Sequence, residues 1–170
     1  MSYENKKIDV KLAVPGFSIG GTWEPNENQI KASWELYIEL STRVAVVDLK
    51  EGEGLLREAL SSFHALFGIS REIMKKYGPD IAIAKNGELS LGIITVRILN
   101  EVIRPFLSKW HPLLTDHEDK RESTVTKLEH EQNWNKNKEF REHLDFTSLV
   151  LYEYSKLLAN VAGVPLLLER

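Results

Sequence analysis

The residues best suited to chemistry fall on one stripe of a single segment. Arg57, His64 and Arg71 are seven apart, so on a helix they share a face with Ser61, Gly68 and Lys75. A histidine beside cations is kept from charging, which suits a general base. The same stripe has a second use. Arg57, Arg71 and Lys75, with Gly68 leaving an opening, suit a phosphate or a partner's carboxylates. Glu58 and Glu72 flank the stripe and dilute its field. A solvated helix face explains the same spacing with no function attached.

Six residues separate Arg57 from His64, a pattern that resembles the R-x(4–6)-H motif of HEPN ribonucleases. The resemblance implies a helical bundle that dimerises, brings the arginine and histidine together across two chains and cleaves RNA, the histidine assisting attack by the 2′-hydroxyl. The chain departs from that pattern in two ways. Glu58 holds the position after the arginine and would oppose an RNA phosphate, and the motif sits early in the chain.

A second group, Arg97, Glu101, Arg104, Lys109, Trp110 and His111, lies in the most apolar long segment. Arg97 stands among Ile93, Ile94, Val96 and Ile98, so it is expected to be half-buried and to need a carboxylate from Glu39 or Glu101. Upstream, Lys31–Glu35 and Glu39–Arg43 are (i, i+4) pairs, each worth roughly 0.2–0.5 kcal/mol on an exposed face. The alternative is a buried acidic pair meeting Arg97 or Arg104. Glu39, Arg43, Arg97, Arg104, Trp110 and His111 are therefore the candidates for contact with a ligand or partner. No metal is expected: Glu139 and His143 share a helix face without a second matching pair, and His111, His117 and His130 are irregularly spaced. Walker, GxGxxG, GxSxG and HExxH motifs are missing, so no cofactor is expected.

Two stretches, Ala32–Tyr37 with Glu39–Arg43 and Arg104–Leu114, look like small uncharacterised bacterial helical proteins encoded near signalling or antiviral conflict systems. That resemblance implies an accessory or sensor role and brings no catalytic residues with it.

The elements that must position these residues are mostly helices. Ile8, Val10, Leu12 and Val14 alternate with Asp9, Lys11 and Ala13, Pro15-Gly16 supplies a turn, and Phe17 to Trp23 returns, with Gly20-Gly21 a candidate bulge. Helices are expected from about Pro25–Asn28 to Val46, from Leu55 to Tyr77, from Ser90 to Leu114 and from Asn137 to Ala162. The first should bury Ile30, Trp34, Tyr37, Ile38, Val44 and Ala45, with Asp48–Gly54 a polar break after it. Residues 81–91 read as a loop ahead of an N-cap at Ser90, with a hairpin around Asn86-Gly87 the alternative. Pro105 should kink or break the third helix, and Pro112 should end it. Residues 115–136 read as a polar linker in which Trp134 is either an anchor or a surface aromatic. The whole is expected to be a single domain, mainly α: a four-helix bundle with a short N-terminal β-hairpin over residues 1–24.

Composition limits the function classes. Hydrophobic residues make up 42% and charged residues 28% of 170, which is ordinary for a globular chain able to bury its own core. Zero cysteines exclude disulfides and thiolate chemistry. A net charge of −3 gives no global pull toward nucleic acid or anionic membrane. The first residues lack the apolar core of a signal peptide, so a soluble cytoplasmic protein is expected. Three functions fit: a non-enzymatic helical module that binds a protein partner or small ligand, a HEPN-like ribonuclease acting as a homodimer, or a receptor for a nucleotide signal.

Overall fold

The computed structural model describes residues 6–43, 50, 52–85 and 88–170. Val44, Ala45, Asn86-Gly87 and part of the Asp48–Gly54 break lie outside them. The described chain is mainly helical, with an N-terminal two-stranded antiparallel hairpin. Strands β1 (Ile8–Val14) and β2 (Phe17–Trp23) pair without interruption from Ile8↔Trp23 to Val14↔Phe17, so Gly20-Gly21 makes no bulge. Gly16 takes the turn at φ 92°. Ile8, Val10, Leu12, Ile19 and Trp23 bury one hairpin face against the helices.

Helix α1 (Glu27–Ser41) starts at an Asn26 cap, whose side chain accepts the Gln29 amide at 2.9 Å. Its buried stripe is Gln29, Ala32, Ser33, Leu36, Tyr37 and Leu40, rotated from the expected one: Ile30 and Ile38 are half-buried and Trp34 is exposed. Gln29 explains the rotation. Its side chain accepts the Trp23 indole N–H and the Leu91 amide, and donates to the carbonyls of Asp80 and Ile83, both at 3.0 Å. One buried amide thus joins β2, α1, the 3₁₀ turn Gly78–Ala82 and the start of α3, and hydrophobicity alone cannot find it.

Helix α2 (Leu56–Tyr77) is followed by Gly78 at φ 69° and Pro79. Helix α3 (Leu91–Ile98) begins at Ser90, whose hydroxyl accepts the Ile93 amide, as expected. Pro105 does not break the third helix. A π turn over Leu99–Ile103 passes directly into α4 (Arg104–Asp119), with the Arg104 amide reaching back five residues to the Leu99 carbonyl. The wider turn accommodates a proline that lacks an amide and would crowd a regular helix. Pro112 lies inside α4, which continues to Asp119. Residues 115–136 are therefore not a linker: they hold the end of α4 and a short helix α5 (Lys127–Gln132). Helix α6 (Asn137–Ala162) ends at Gly163 in the left-handed conformation. With α3, the π turn and α4 taken as one rod, the described residues hold five helices rather than four.

The rod is the centre of the core. Leu91, Ile94, Ile98, Leu99, Val102, Ile103, Phe106, Trp110 and Leu114 are buried along it, while Ile93 and Val96 remain exposed on one flank. Helix α1 contacts α2 and α6, and α4 contacts the same two. Thr95 donates to the Leu91 carbonyl, so the buried Tyr154 hydroxyl donates to Thr95 at 2.7 Å and ties α6 to α3. No helix of the described residues is long and apolar enough to cross a membrane.

Candidate functional site

Helix α2 has Leu55 at its N-cap, which offers no side-chain acceptor for the first-turn amides. The acceptor comes from far along the chain: the Glu131 carboxylate on α5 takes the Leu56 amide at 2.9 Å. Glu131 is buried. Burial raises its pKa above the ordinary carboxyl range, against the pull of the Leu56 and Arg57 amides, while Glu118 adds to the rise and Arg141 opposes it.

This cap brings α5 across the ends of α2 and α4, leaving a cleft of about 300 Å³ lined by Leu55, Arg57, Glu118, Arg121, Lys127, His130 and Glu131. Arg57 grips Glu118 with two hydrogen bonds, 2.9 Å from Nε and 2.6 Å from Nη2, and reaches Thr115 Oγ1 at 3.1 Å. This bonding raises the arginine pKa further. Arg121 donates to the Val125 carbonyl at 2.6 Å, which holds the turn between α4 and α5. Among the described residues, neither Arg121 nor Lys127 pairs with a carboxylate.

The far wall is fixed by a histidine pair. His117 on α4 and His130 on α5 stack at 3.8 Å, nearly parallel, and each Nε2 hydrogen-bonds the other's backbone carbonyl, at 2.8 and 2.6 Å. A carbonyl can only accept, so both Nε2 atoms carry hydrogen. Trp134 is buried and stacks on His117, with ring centroids 4.9 Å apart: it is the anchor of this region. These histidines face each other and one tryptophan rather than a common centre, and no group of side chains among the described residues could hold a metal.

The other expected site residues scatter. His64 is exposed, and Arg57 is held by Glu118, so one chain does not bring the two together. Along the helix they stand about 10 Å apart in rise alone. Arg71 and Arg104 both lie over the Phe67 ring, at 5.6 and 5.1 Å from its centroid, whereas Lys75 pairs with Glu72. Arg97 pairs with Glu101, twice at 3.0 Å, and not with Glu39. Glu39 pairs with Arg43 at 2.7 Å. Lys31 pairs with Glu27 instead of Glu35, and Glu35 turns to Lys76 and Tyr77 on α2. The acidic residues of α1 thus meet neither Arg97 nor Arg104. Trp110 is sealed in the core, its indole donating to His143 Nδ1 at 2.9 Å, so it offers no surface to a partner; its neighbour His111 is exposed.

Sequence reasoning reaches Arg57 but misses Glu118, Arg121, Lys127, His130 and Glu131. The one signal for them is Trp134, a large aromatic out of character in a polar stretch. Comparison of the chain with protein-family models, with curated proteins and with solved structures finds no match.

Proposed function

We propose that the protein is a non-enzymatic ligand-sensing module, a four-helix bundle closed at one end by α5, and that it takes a small phosphate- or carboxylate-bearing ligand in the cleft between α2, α4 and α5. The observation that carries this reading is the pattern of pairing. Arg57 is committed to Glu118, while Arg121 and Lys127 line the same cleft with no carboxylate partner among the described residues. Two like charges at one cleft repel, and an anion between them relieves that repulsion. The volume is at the small end of ligand sites, roughly 300–1,000 Å³, and favours a compact anion. The resemblance of residues 32–43 and 104–114 to helical proteins of signalling and antiviral systems supports a sensing role.

Thermal shift measured against inorganic phosphate, sulfate, citrate, AMP and cyclic mononucleotides tests the reading. A ligand at about a hundred times its Kd stabilises the fold by about 2.7 kcal/mol, a readily measured rise in Tm. The expected result is stabilisation by at least one of these anions, lost in the Arg121→Ala/Lys127→Ala double variant and kept in His64→Ala. Cleavage of RNA by the purified protein, abolished by His64→Ala, would overturn the reading in favour of the ribonuclease.

A further inference from the structure

We propose that the outer groove between α2 and the α3–α4 rod docks an acidic, partly apolar helical segment of a partner protein. The two elements run antiparallel. Arg57 meets Glu118 at one end, Phe63 meets Phe106 with ring centroids 4.9 Å apart, Arg104 lies over Phe67, and beyond the end of α2 Ala82 of the 3₁₀ turn abuts Gly92. Outside this seam the rod leaves Ile93 and Val96 exposed, at 39% and 44%, and Phe67 is only half-buried. The π turn matters here. It wraps one extra residue into the rod, which rotates the α4 portion by about 100° relative to a regular helix. Arg104 is thereby brought near the face that carries Val96, about 12 Å further along.

The charge of the groove names its occupant. Arg71 and Arg104 converge on one aromatic ring, and among the described residues neither pairs with a carboxylate; Arg104 meets only the Asn100 side-chain carbonyl. Their cationic neighbours are already committed, Arg97 to Glu101 and Lys75 to Glu72. Unpaired positive charge therefore sits mid-groove, beside an apolar end. A helix with two carboxylates one turn apart, followed by leucine-like side chains, satisfies both features, because guanidinium groups take carboxylates in two-bond pairs. A polyanion fits less well: Glu72 and Glu101 flank the arginines, and the chain as a whole carries −3.

Three labelled probes test this by fluorescence anisotropy and ¹⁵N–¹H spectra of the full chain: an amphipathic helical peptide with leucines and a Glu pair four residues apart, the same peptide with Gln in place of Glu, and a single-stranded RNA dodecamer. The expected result is at least tenfold tighter binding of the Glu peptide than of the other two, with shifts confined to residues 64–75 and 93–111. Arg71→Ala/Arg104→Ala should weaken it at least tenfold while keeping a folded spectrum. Arg121→Ala/Lys127→Ala should leave it unchanged, which separates this surface from the cleft. Equal binding of the Glu and Gln peptides, preference for RNA, shifts elsewhere, or no binding of the Glu peptide would each overturn the proposal.

Discussion

Glu131 holds a carboxylate where solvent is scarce, because the α2 amides need an acceptor and Leu55 offers none. Its pKa is raised in the fold, so its contribution to stability is fully present below the unfolded value near 4.5 and is lost as pH rises through the folded value. Glu131→Gln keeps the acceptor and removes the charge. We expect it to be at least as stable as the parent at pH 7 in urea denaturation and to show a flatter pH profile above 4.5. Glu131→Ala leaves the Leu56 amide orphaned and should cost about 1–3 kcal/mol in the same experiment. His143 behaves in the opposite sense. Burial first, then Lys109, lowers its pKa below 6.5, with Glu139 opposing, and its bare Nδ1 accepts the Trp110 indole. A depressed value means that its contribution is present above 6.5 and is lost as pH falls through the folded value. Protonation places a hydrogen on Nδ1 and breaks the Trp110 bond. Denaturation midpoints from pH 8 to 5 should fall in the parent and fall less in His143→Gln, which keeps an acceptor and cannot charge.

At the scale of elements, one buried amide secures the junction of hairpin and helices. Gln29→Leu is close in volume and strands the Trp23 indole, the Leu91 amide and the Ile83 carbonyl together, while the Asp80 carbonyl keeps its bond from the Asn26 side chain. We expect a loss of about 3 kcal/mol by urea denaturation, well above the usual cost of removing one hydrogen bond. Where local chemistry decides an element, the sequence is readable. The end of α6 at Ala162 is legible because Gly163 and Pro165 stop it, and the start of α3 is legible because the Ser90 hydroxyl caps its own turn. Where a distant residue decides, the sequence misleads. Hydrophobicity gives the wrong phase for α1 because Gln29 and Ser33 are polar and buried, whereas Trp34 is apolar and exposed. Helix α5 and the cleft escape notice because the acceptor for the first turn of α2 stands 75 residues away. Pro105 reads as a break because a regular helix cannot hold it, and the π turn offers a remedy with no sequence signature of its own.

For the whole molecule, the hydrophobic rod organises the core as its composition implies, while its polar residues divide between two surfaces. One is the cleft, where α5 turns the ends of α2 and α4 into a small enclosure; the other is the groove along the opposite reach of α2. Arg57 belongs to the first; Arg71 and Arg104 belong to the second. The expected anion stripe of Arg57, Arg71 and Lys75 is thus split, because Glu118 and Glu72 claim two of its members. The most direct test of the sensing role is a ¹⁵N–¹H titration with whichever anion gives the largest thermal shift. Saturable amide shifts confined to residues 55–57 and 118–131, abolished by Arg121→Ala/Lys127→Ala, are the predicted result. Shifts outside those residues, or no saturable shift with any of the anions, would contradict it.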